Sequence, residues 1–168
     1  MAVHPAVLAL GTNLGDRELT LRQAVGDIAA LDGVLMVAAS GLVETAAVKP
    51  EGVDMEAPAY LNAIVTVRTS LTPRELLAAV NAIEADHGRV RAIRWGDRTL
   101  DIDIISFADL ELESPELTIP HPRAAERAFV LAPWFEIEPA ATIVGRGPIA
   151  ELLDRLERPT AYPSEPLL

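Results

Sequence analysis

The hydrophobic residues of this chain follow two spacings, one typical of strands and the other of helices. Short apolar runs and alternating patterns predict four strands, at residues 3–10, 34–45, 60–69 and 100–105. A helical period follows Asp16, which can cap the helix, and a second one follows the capping box Thr72-Pro73-Arg74-Glu75. The order strand, helix, strand, strand, helix, strand predicts a ferredoxin-like α+β sandwich, with helices packed on one face of an antiparallel sheet.

The segments between these elements carry smaller predictions. Local patterns predict a structural turn at 11–15, a hairpin at 110–119, and short helices at 122–127 and 149–156. Two long loops are expected, at 46–59 and 89–99. Residues 1–158 form a single domain in this interpretation, and the proline-rich tail 159–168 is expected to be poorly ordered.

Composition and charge limit the classes of function. The formal net charge of −11 argues against broad binding to nucleic acid, which needs a basic surface. The chain has no cysteine and no apolar run of membrane-spanning length, so we expect a cytoplasmic protein without a membrane partner. We also expect a monomer. Four of the 14 basic residues fall between positions 89 and 98, and this focus of positive charge favours a small anionic ligand.

The candidate chemistry lies in the strand that follows this arginine-rich loop. Asp101 and Asp103 are two residues apart, so both side chains point to the same face, about 6.5–7 Å apart along the strand. Such a pair can hold hard cations, and the nearby arginines can hold phosphate, which together suggest magnesium and a phosphate ligand. The alternative is an edge strand whose two aspartates are simply solvated.

The residues around this pair resemble the signature of the 6-hydroxymethyl-7,8-dihydropterin pyrophosphokinase family. The signature is matched by Arg94, Gly96, Arg98, Asp101, Ile102, Asp103, Ile104 and Ile105. Further matches are spread in order from Val7 to about Leu156, at Gly11-Thr12-Asn13-Leu14-Gly15, Tyr60-Leu61-Asn62, Glu84, Gly88-Arg89-Val90-Arg91, Pro120-His121, Arg127 and Phe129. The resemblance implies a ferredoxin-like fold, two magnesium ions, and transfer of pyrophosphate from ATP to a pterin alcohol with release of AMP, a step of folate biosynthesis.

The same resemblance implies roles for individual residues. Asp101 and Asp103 would hold the metals, and Arg89 and Arg98 would act with them in catalysis through the phosphates. The nucleotide side would comprise Glu84, Arg89, Arg91, Arg94, Trp95, Arg98, His121 and Arg127. The pterin side would comprise Thr45, Tyr60, Asn62, Trp95, Asp101 and Phe129.

Two other functions stay open on the residues alone. One is a different two-metal nucleotidyl- or phosphotransferase on the same scaffold, for which Asn62 and Phe129 would be coincidental. The other is a ligand-binding module without catalysis, which would not need the paired aspartates or the arginine-rich loop. Phe129 could also be a core aromatic, and His121 a surface loop residue.

Overall fold

The computed structural model of the protein describes residues 2–49, 52–54, 59–88 and 100–168. The strands are β1 His4–Thr12, β2 Val34–Ala39, β3 Leu42–Thr45, β4 Ala47–Lys49, β5 Gly52–Asp54, β6 Tyr60–Thr69, β7 Asp101–Phe107, β8 Leu112–Glu113, β9 Thr118–Ile119, β10 Thr142–Ile143, β11 Gly147–Pro148 and β12 Thr160–Tyr162. The helices are α1 Arg17–Ala29, α2 Pro73–Asp86, α3 Ala128–Ile137 and α4 Ile149–Asp154, with a short 3₁₀ turn at Ala124–Glu126.

One antiparallel sheet organises the described chain. Its strand order is β12-β3-β6-β1-β7, and β2 pairs with β6 at the end of that strand away from β3. The order β3-β6-β1-β7, with α1 after β1 and α2 after β6, is the ferredoxin-like arrangement. The predicted fold class is therefore confirmed.

The first face of the sheet is covered by α1 and α2, as the sequence predicts. Asp16 caps α1 by accepting from the Leu19 N–H, and Thr72 and Glu75 form the expected capping box at α2. The apolar sides of both helices pack on the even-numbered side chains of β1, among them Leu8, which is fully buried. Capping fixes where each helix begins, and apolar burial fixes which side faces the sheet.

The opposite face of the sheet is covered in part by α3 and α4. Their core includes Trp134 and Leu131, and it packs against Val7 and Ile64 on the reverse side of β1 and β6. The predicted sandwich placed helices on one face, and α3 and α4 add a second helical layer that this prediction did not include. Helix α3 was missed because it is apolar almost throughout and contains Pro133, so it shows no helical period.

The segment 34–45 forms two strands instead of the single strand predicted. Ser40 separates β2 from β3, and its hydroxyl accepts a hydrogen bond from the Ile64 N–H at 2.9 Å. The Ser40 N–H donates to the Ile64 carbonyl at 2.8 Å, so this residue holds the break against β6. Further along the chain, part of the predicted loop 46–59 is also ordered into strands, because β4 and β5 pair as a hairpin.

The tail also differs from its predicted state. Thr160–Tyr162 form β12, which pairs with β3 and extends the sheet at that edge. Beyond it, Arg22 donates to the carbonyl oxygens of Glu165 and Pro166, at 2.6 and 2.8 Å. Prolines exclude a helix here but still allow an edge strand, since an edge needs partners on one side only. The prediction of a poorly ordered tail does not hold for this strand.

The two leucines Leu8 and Leu35 test where the stability of the sheet originates. Leu8 is fully buried in β1, whereas Leu35 in β2 is 66% exposed. We expect Leu8→Ala to lower the free energy of unfolding by about 2–5 kcal/mol, and Leu35→Ala to change it by less than about 0.5 kcal/mol. Urea unfolding curves of both variants measure this. Equal losses in the two variants would contradict the assignment of the core.

Candidate active site

The register of three central strands places polar residues in a row across the sheet. Gly11 in β1 pairs with Asn62 on one side and with Asp101 on the other. Two residues along the strand, Ala9 pairs with Asp103. Because side chains alternate along a strand, Asn62, Asp101 and Asp103 all point to the same face, the one opposite α1 and α2.

This face forms the floor of a cleft of about 440 Å³. The cleft is lined by Ala9, Leu10, Gly11, Thr45, Ala46, Tyr60, Asn62, Ala63, Asp101, Asp103, Arg123, Arg127, Phe129 and Val130. The sheet supplies the neutral polar groups and the acids, whereas the segment leading into α3 supplies the cations and an aromatic ring. The sequence-predicted residues Thr45, Tyr60, Asn62, Asp101, Asp103, Arg127 and Phe129 are thus brought together.

Gly11 leaves space at the centre of the cleft floor, because it has no side chain. A Cβ atom built at this position would lie 2.9 Å from Oδ1 of Asn62 and 3.8 Å from the Tyr60 ring. The sequence predicts that a turn begins at Gly11, but β1 extends through Thr12, and Gly11 belongs to the strand. Its lack of a side chain therefore serves the cleft and not a turn.

One end of the floor presents an oriented amide. Asn62 is 7% exposed, and its Nδ2 donates to Oγ1 of Thr45 at 3.1 Å. Thr45 in turn pairs with Tyr60 across β3 and β6. The hydrogen bond to Thr45 fixes the orientation of the amide, and Oδ1 of Asn62 lies next to Gly11 at the floor of the cleft.

The other end of the cleft combines acids with cations. Burial lowers the pKa of Arg127, the charge of Arg123 lowers it further, and the charges of Asp103 and Asp101 act in the opposite direction. The Arg127 guanidinium carbon also lies 5.5 Å from the centre of the Phe129 ring, in a cation–π contact. Arg127 thus contacts the aromatic ring and lies within the electrostatic reach of both aspartates.

His121 is a neutral, oriented donor beside these charges. Burial lowers its pKa, the positive charges of Arg127 and Arg123 lower it further, and Asp101 opposes them. Its Nδ1 accepts from the Arg123 N–H at 3.2 Å, which assigns the ring proton to Nε2. The backbone N–H of His121 donates to the Ile105 carbonyl oxygen, and this hydrogen bond connects the turn to β7. His121 is not a freely solvated loop residue.

Glu84 has a different position from the other predicted residues. It is 1% exposed on α2, and its Oε2 accepts from the Ile102 N–H at 2.8 Å. Ile102 separates the two aspartates in sequence, so this carboxylate holds the backbone that carries them. Glu84 is not among the described residues that line the cleft.

Five predicted residues lie outside the described part of the chain, namely Arg89, Arg91, Arg94, Trp95 and Arg98. Conversely, sequence reasoning missed Gly11 and Arg123 as cleft residues. The sequence does show that Arg123 lies two positions after His121. The direction of the Arg123 side chain, however, depends on the 3₁₀ turn at Ala124–Glu126. The space required at Gly11 depends on pairing between distant strands, which a single sequence does not display.

The described part of the chain has neither a cluster of metal ligands nor a membrane-spanning helix. Within the ranges that the structure describes, no three His, Asp or Glu side chains are grouped closely enough to hold a metal ion. Over the same ranges, no helix combines the length and apolarity that crossing a membrane requires.

An acidic pair that faces arginines across a cleft supplies the kinds of charged groups that enzymes use to transfer phosphoryl-type groups. The family model described as 7,8-dihydro-6-hydroxymethylpterin-pyrophosphokinase matches residues 7–139. The chain belongs to this pyrophosphokinase family.

Curated relatives support this membership over most of their length. A 2-amino-4-hydroxy-6-hydroxymethyldihydropteridine pyrophosphokinase of Bacillus subtilis is 46% identical over 132 residues, which are 79% of this chain and 77% of the relative. Enzymes of the same name from Synechocystis and Methylorubrum extorquens are 38% and 40% identical. These two matches cover 97% and 90% of this chain, and 82% and 93% of the respective relatives.

Solved structures support the fold. A Plasmodium falciparum HPPK-DHPS chain crystallised with pterin and p-hydroxybenzoate superposes with a TM-score of 0.70 at 19% identity over 92% of this chain. A triple mutant of the same protein gives a TM-score of 0.68 at 18% identity, over the same share of this chain. The chain spans 43% and 44% of those longer chains, so the likeness concerns one part of them.

Substitution of Gly11 tests the shape of the cleft floor. Gly11→Ala places a methyl group 2.9 Å from Oδ1 of Asn62, and this amide can turn away because it is the end of a flexible side chain. We therefore expect a folded protein whose pyrophosphokinase activity is lower by about tenfold or more. Steady-state rates and thermal unfolding midpoints measure the two effects.

Gly26→Ala is the matched control for this substitution. Gly26 lies in α1, and no atom is within 4 Å of a Cβ built there. Alanine should stabilise the helix by about 0.5–1 kcal/mol and leave the activity unchanged. Full activity in Gly11→Ala would show that the floor tolerates a side chain and that the cleft assignment is wrong.

Proposed function

We propose that the cleft binds ATP, magnesium and 6-hydroxymethyl-7,8-dihydropterin, and that the protein transfers the β,γ-pyrophosphate of ATP to the pterin alcohol, with AMP as the second product. Family membership and the names of the relatives assign pyrophosphate transfer to this pterin, in folate biosynthesis. The observation that carries the finer proposal is the shared row of Asn62, Gly11 and Asp101. It places a neutral polar end and a charged end within one cleft.

The acidic pair suits magnesium better than a metal that needs a complete protein cage. Asp101 and Asp103 are half-buried on the same strand face, and both line the cleft. Magnesium commonly takes one or two protein carboxylates and completes its shell with water and substrate phosphates. The absence of a three-residue cluster among the described residues fits such a shared site. When bound, magnesium would neutralise phosphate charge and polarise the transferring group.

The cations on the opposite wall fit the triphosphate. Arg127 is half-buried beside the aspartates, and His121 offers a neutral Nε2–H donor from a fixed ring. We extend this set with Arg89, Arg91, Arg94 and Arg98, and with Trp95, on the basis of the sequence signature. Arginine suits this role because its planar guanidinium can bind two phosphate oxygens together.

The neutral end of the cleft fits a flat heteroaromatic ring. The Asn62 amide and the Thr45 hydroxyl can bond to the edge of the ring, and Tyr60 and Phe129 supply aromatic surface. Of these groups, Asn62 is the most informative, because a buried amide is costly unless its remaining donor and acceptor are matched. A pterin edge presents complementary amide-like groups.

The reaction then needs positioning and charge neutralisation more than covalent chemistry. The pterin hydroxyl must approach the β-phosphorus in line with the departing AMP oxygen, and the floor row sets the separation of the two ligands. Arg127 and the loop arginines stabilise charge that spreads over the phosphate oxygens. No side-chain nucleophile is required. The monomeric state and the cytoplasmic location stay predictions from the sequence.

Two aspartate variants test the metal and nucleotide part of the proposal. Asp101→Asn and Asp103→Asn keep the side-chain shape and remove one negative charge each, so we expect AMP production to fall by about a hundredfold or more. Thermal stability should stay the same or rise, because two close carboxylates repel each other without a cation. The measurement is AMP and pterin diphosphate formed at saturating substrates across a magnesium titration.

The contradicting outcomes differ for each part of this proposal. A folded variant with near-parental turnover at every magnesium concentration would remove that aspartate from the metal site. Formation of ADP and a pterin monophosphate by the parent protein would reject pyrophosphate transfer and favour a different phosphotransferase.

Asn62→Ala tests the pterin side. Loss of the amide should weaken pterin binding by about 1–3 kcal/mol and leave nucleotide affinity nearly unchanged, since the partners at the ring edge lose their bonds. Calorimetric titration with each ligand separates the two affinities. Asn81→Ala on α2, outside the cleft, is the control and should change neither affinity. Unchanged pterin affinity in folded Asn62→Ala would exclude Asn62 from the site.

A further inference from the structure

Arg17 joins three elements behind the floor of the cleft. It is the first residue of α1, and its side chain is 22% exposed. Its Nη1 donates to Oε2 of Glu44 at 2.9 Å and to the Ala59 carbonyl oxygen at 2.6 Å. The guanidinium carbon also lies 5.6 Å from the centre of the Tyr162 ring. One side chain thus binds the end of β3, the residue that precedes β6, and the tail strand β12.

The two hydrogen-bond acceptors of Arg17 lie next to residues of the cleft. Glu44 precedes Thr45, and Ala59 precedes Tyr60, and Thr45 and Tyr60 are paired across β3 and β6. The chain between them is the segment 46–58, so Arg17 holds both ends of this connection. A displacement of either end would move Thr45 or Tyr60 directly.

Because side chains alternate along a strand, Arg17 contacts one face of the sheet at these strand ends, and the pterin-side groups lie on the opposite face. Leu42 belongs to the core under α1, and Glu44, two residues further, points to that same side. Thr45 therefore points into the cleft, where it accepts the hydrogen bond from Asn62. Arg17 does not line the cleft and can influence a ligand there only through these neighbours.

We infer that Arg17 is a positioning residue for the pterin side of the cleft: by clamping Glu44 and Ala59, it sets the Thr45–Tyr60 pair and, through Thr45, the orientation of the Asn62 amide. This inference rests on the proposed function. Tyr162 in the tail strand β12 packs on the Arg17 guanidinium, so β12 also helps to hold this side chain in place.

Arg22 provides a matched control on the same helix. It pairs with Glu18 at 3.2 Å and donates to the carbonyls of Glu165 and Pro166, so it is equally engaged with the tail. None of its described contacts reaches Glu44 or Ala59. Arg22→Met therefore removes a comparable arginine without releasing the ends of the 46–58 connection.

The test compares ligand affinities of Arg17→Met, Arg22→Met and the parent protein. Pterin is titrated in the presence of magnesium and a non-hydrolysable ATP analogue, and the analogue is titrated separately. We expect Arg17→Met to raise the Kd for pterin by about tenfold and to leave the Kd for the nucleotide within about twofold. The KM for pterin should rise in parallel, with a much smaller change in kcat. Arg22→Met should leave all these values within about twofold.

An unchanged pterin Kd in folded Arg17→Met, or an equal loss of pterin and nucleotide affinity, would overturn the inference. A loss of pterin affinity in Arg22→Met equal to that in Arg17→Met would also overturn it. Should Arg17→Met fail to fold, Glu44→Met removes the hydrogen-bond acceptor of Arg17 with little change in size, and an unchanged pterin Kd in that variant would overturn the inference. Absence of pterin binding by the parent would instead reject the proposed function.

Discussion

The pairing of β1 with β6 on one side and with β7 on the other is the constraint on which the site depends. This register alone brings Asn62, Gly11 and Asp101 into one row, although they come from three separate parts of the chain. A shift of one residue in either pairing would turn the polar side chains toward the apolar core under α1 and α2. The same hydrophobic alternation that builds the core therefore fixes the chemistry on the reverse face.

The cleft requires support from both sides of the sheet. On the core side, Glu84 holds the Ile102 backbone between the aspartates, and Arg17 holds the strand ends behind Thr45 and Tyr60. On the cleft side, α3 and the turn before it bring Arg127 and His121 over the acids. In a chain of net charge −11, Arg123 and Arg127 provide local positive charge on this wall of the cleft.

Much of this arrangement was predictable because it follows from local patterns. Alternation in 100–105 correctly placed the aspartates opposite Ile102 and Ile104, and capping residues located the starts of α1 and α2. Features that depend on distant pairing were not predictable, such as the space at Gly11 and the pairing of β12 with β3. Helix α3 was missed for a local reason, because a uniformly apolar segment has no period to detect.

We propose that one cleft binds the nucleotide phosphates at Asp101 and Asp103 and the pterin at Asn62, on either side of Gly11. The most direct measurement is a crystal structure of the full chain with Mn²⁺, a non-hydrolysable ATP analogue and the pterin, with metals located by anomalous scattering. We expect metal peaks in contact with both carboxylates and with nucleotide phosphates, and a pterin ring edge hydrogen-bonded to Asn62. Metal peaks away from the aspartates, or a pterin bound without contact to Asn62, would contradict it.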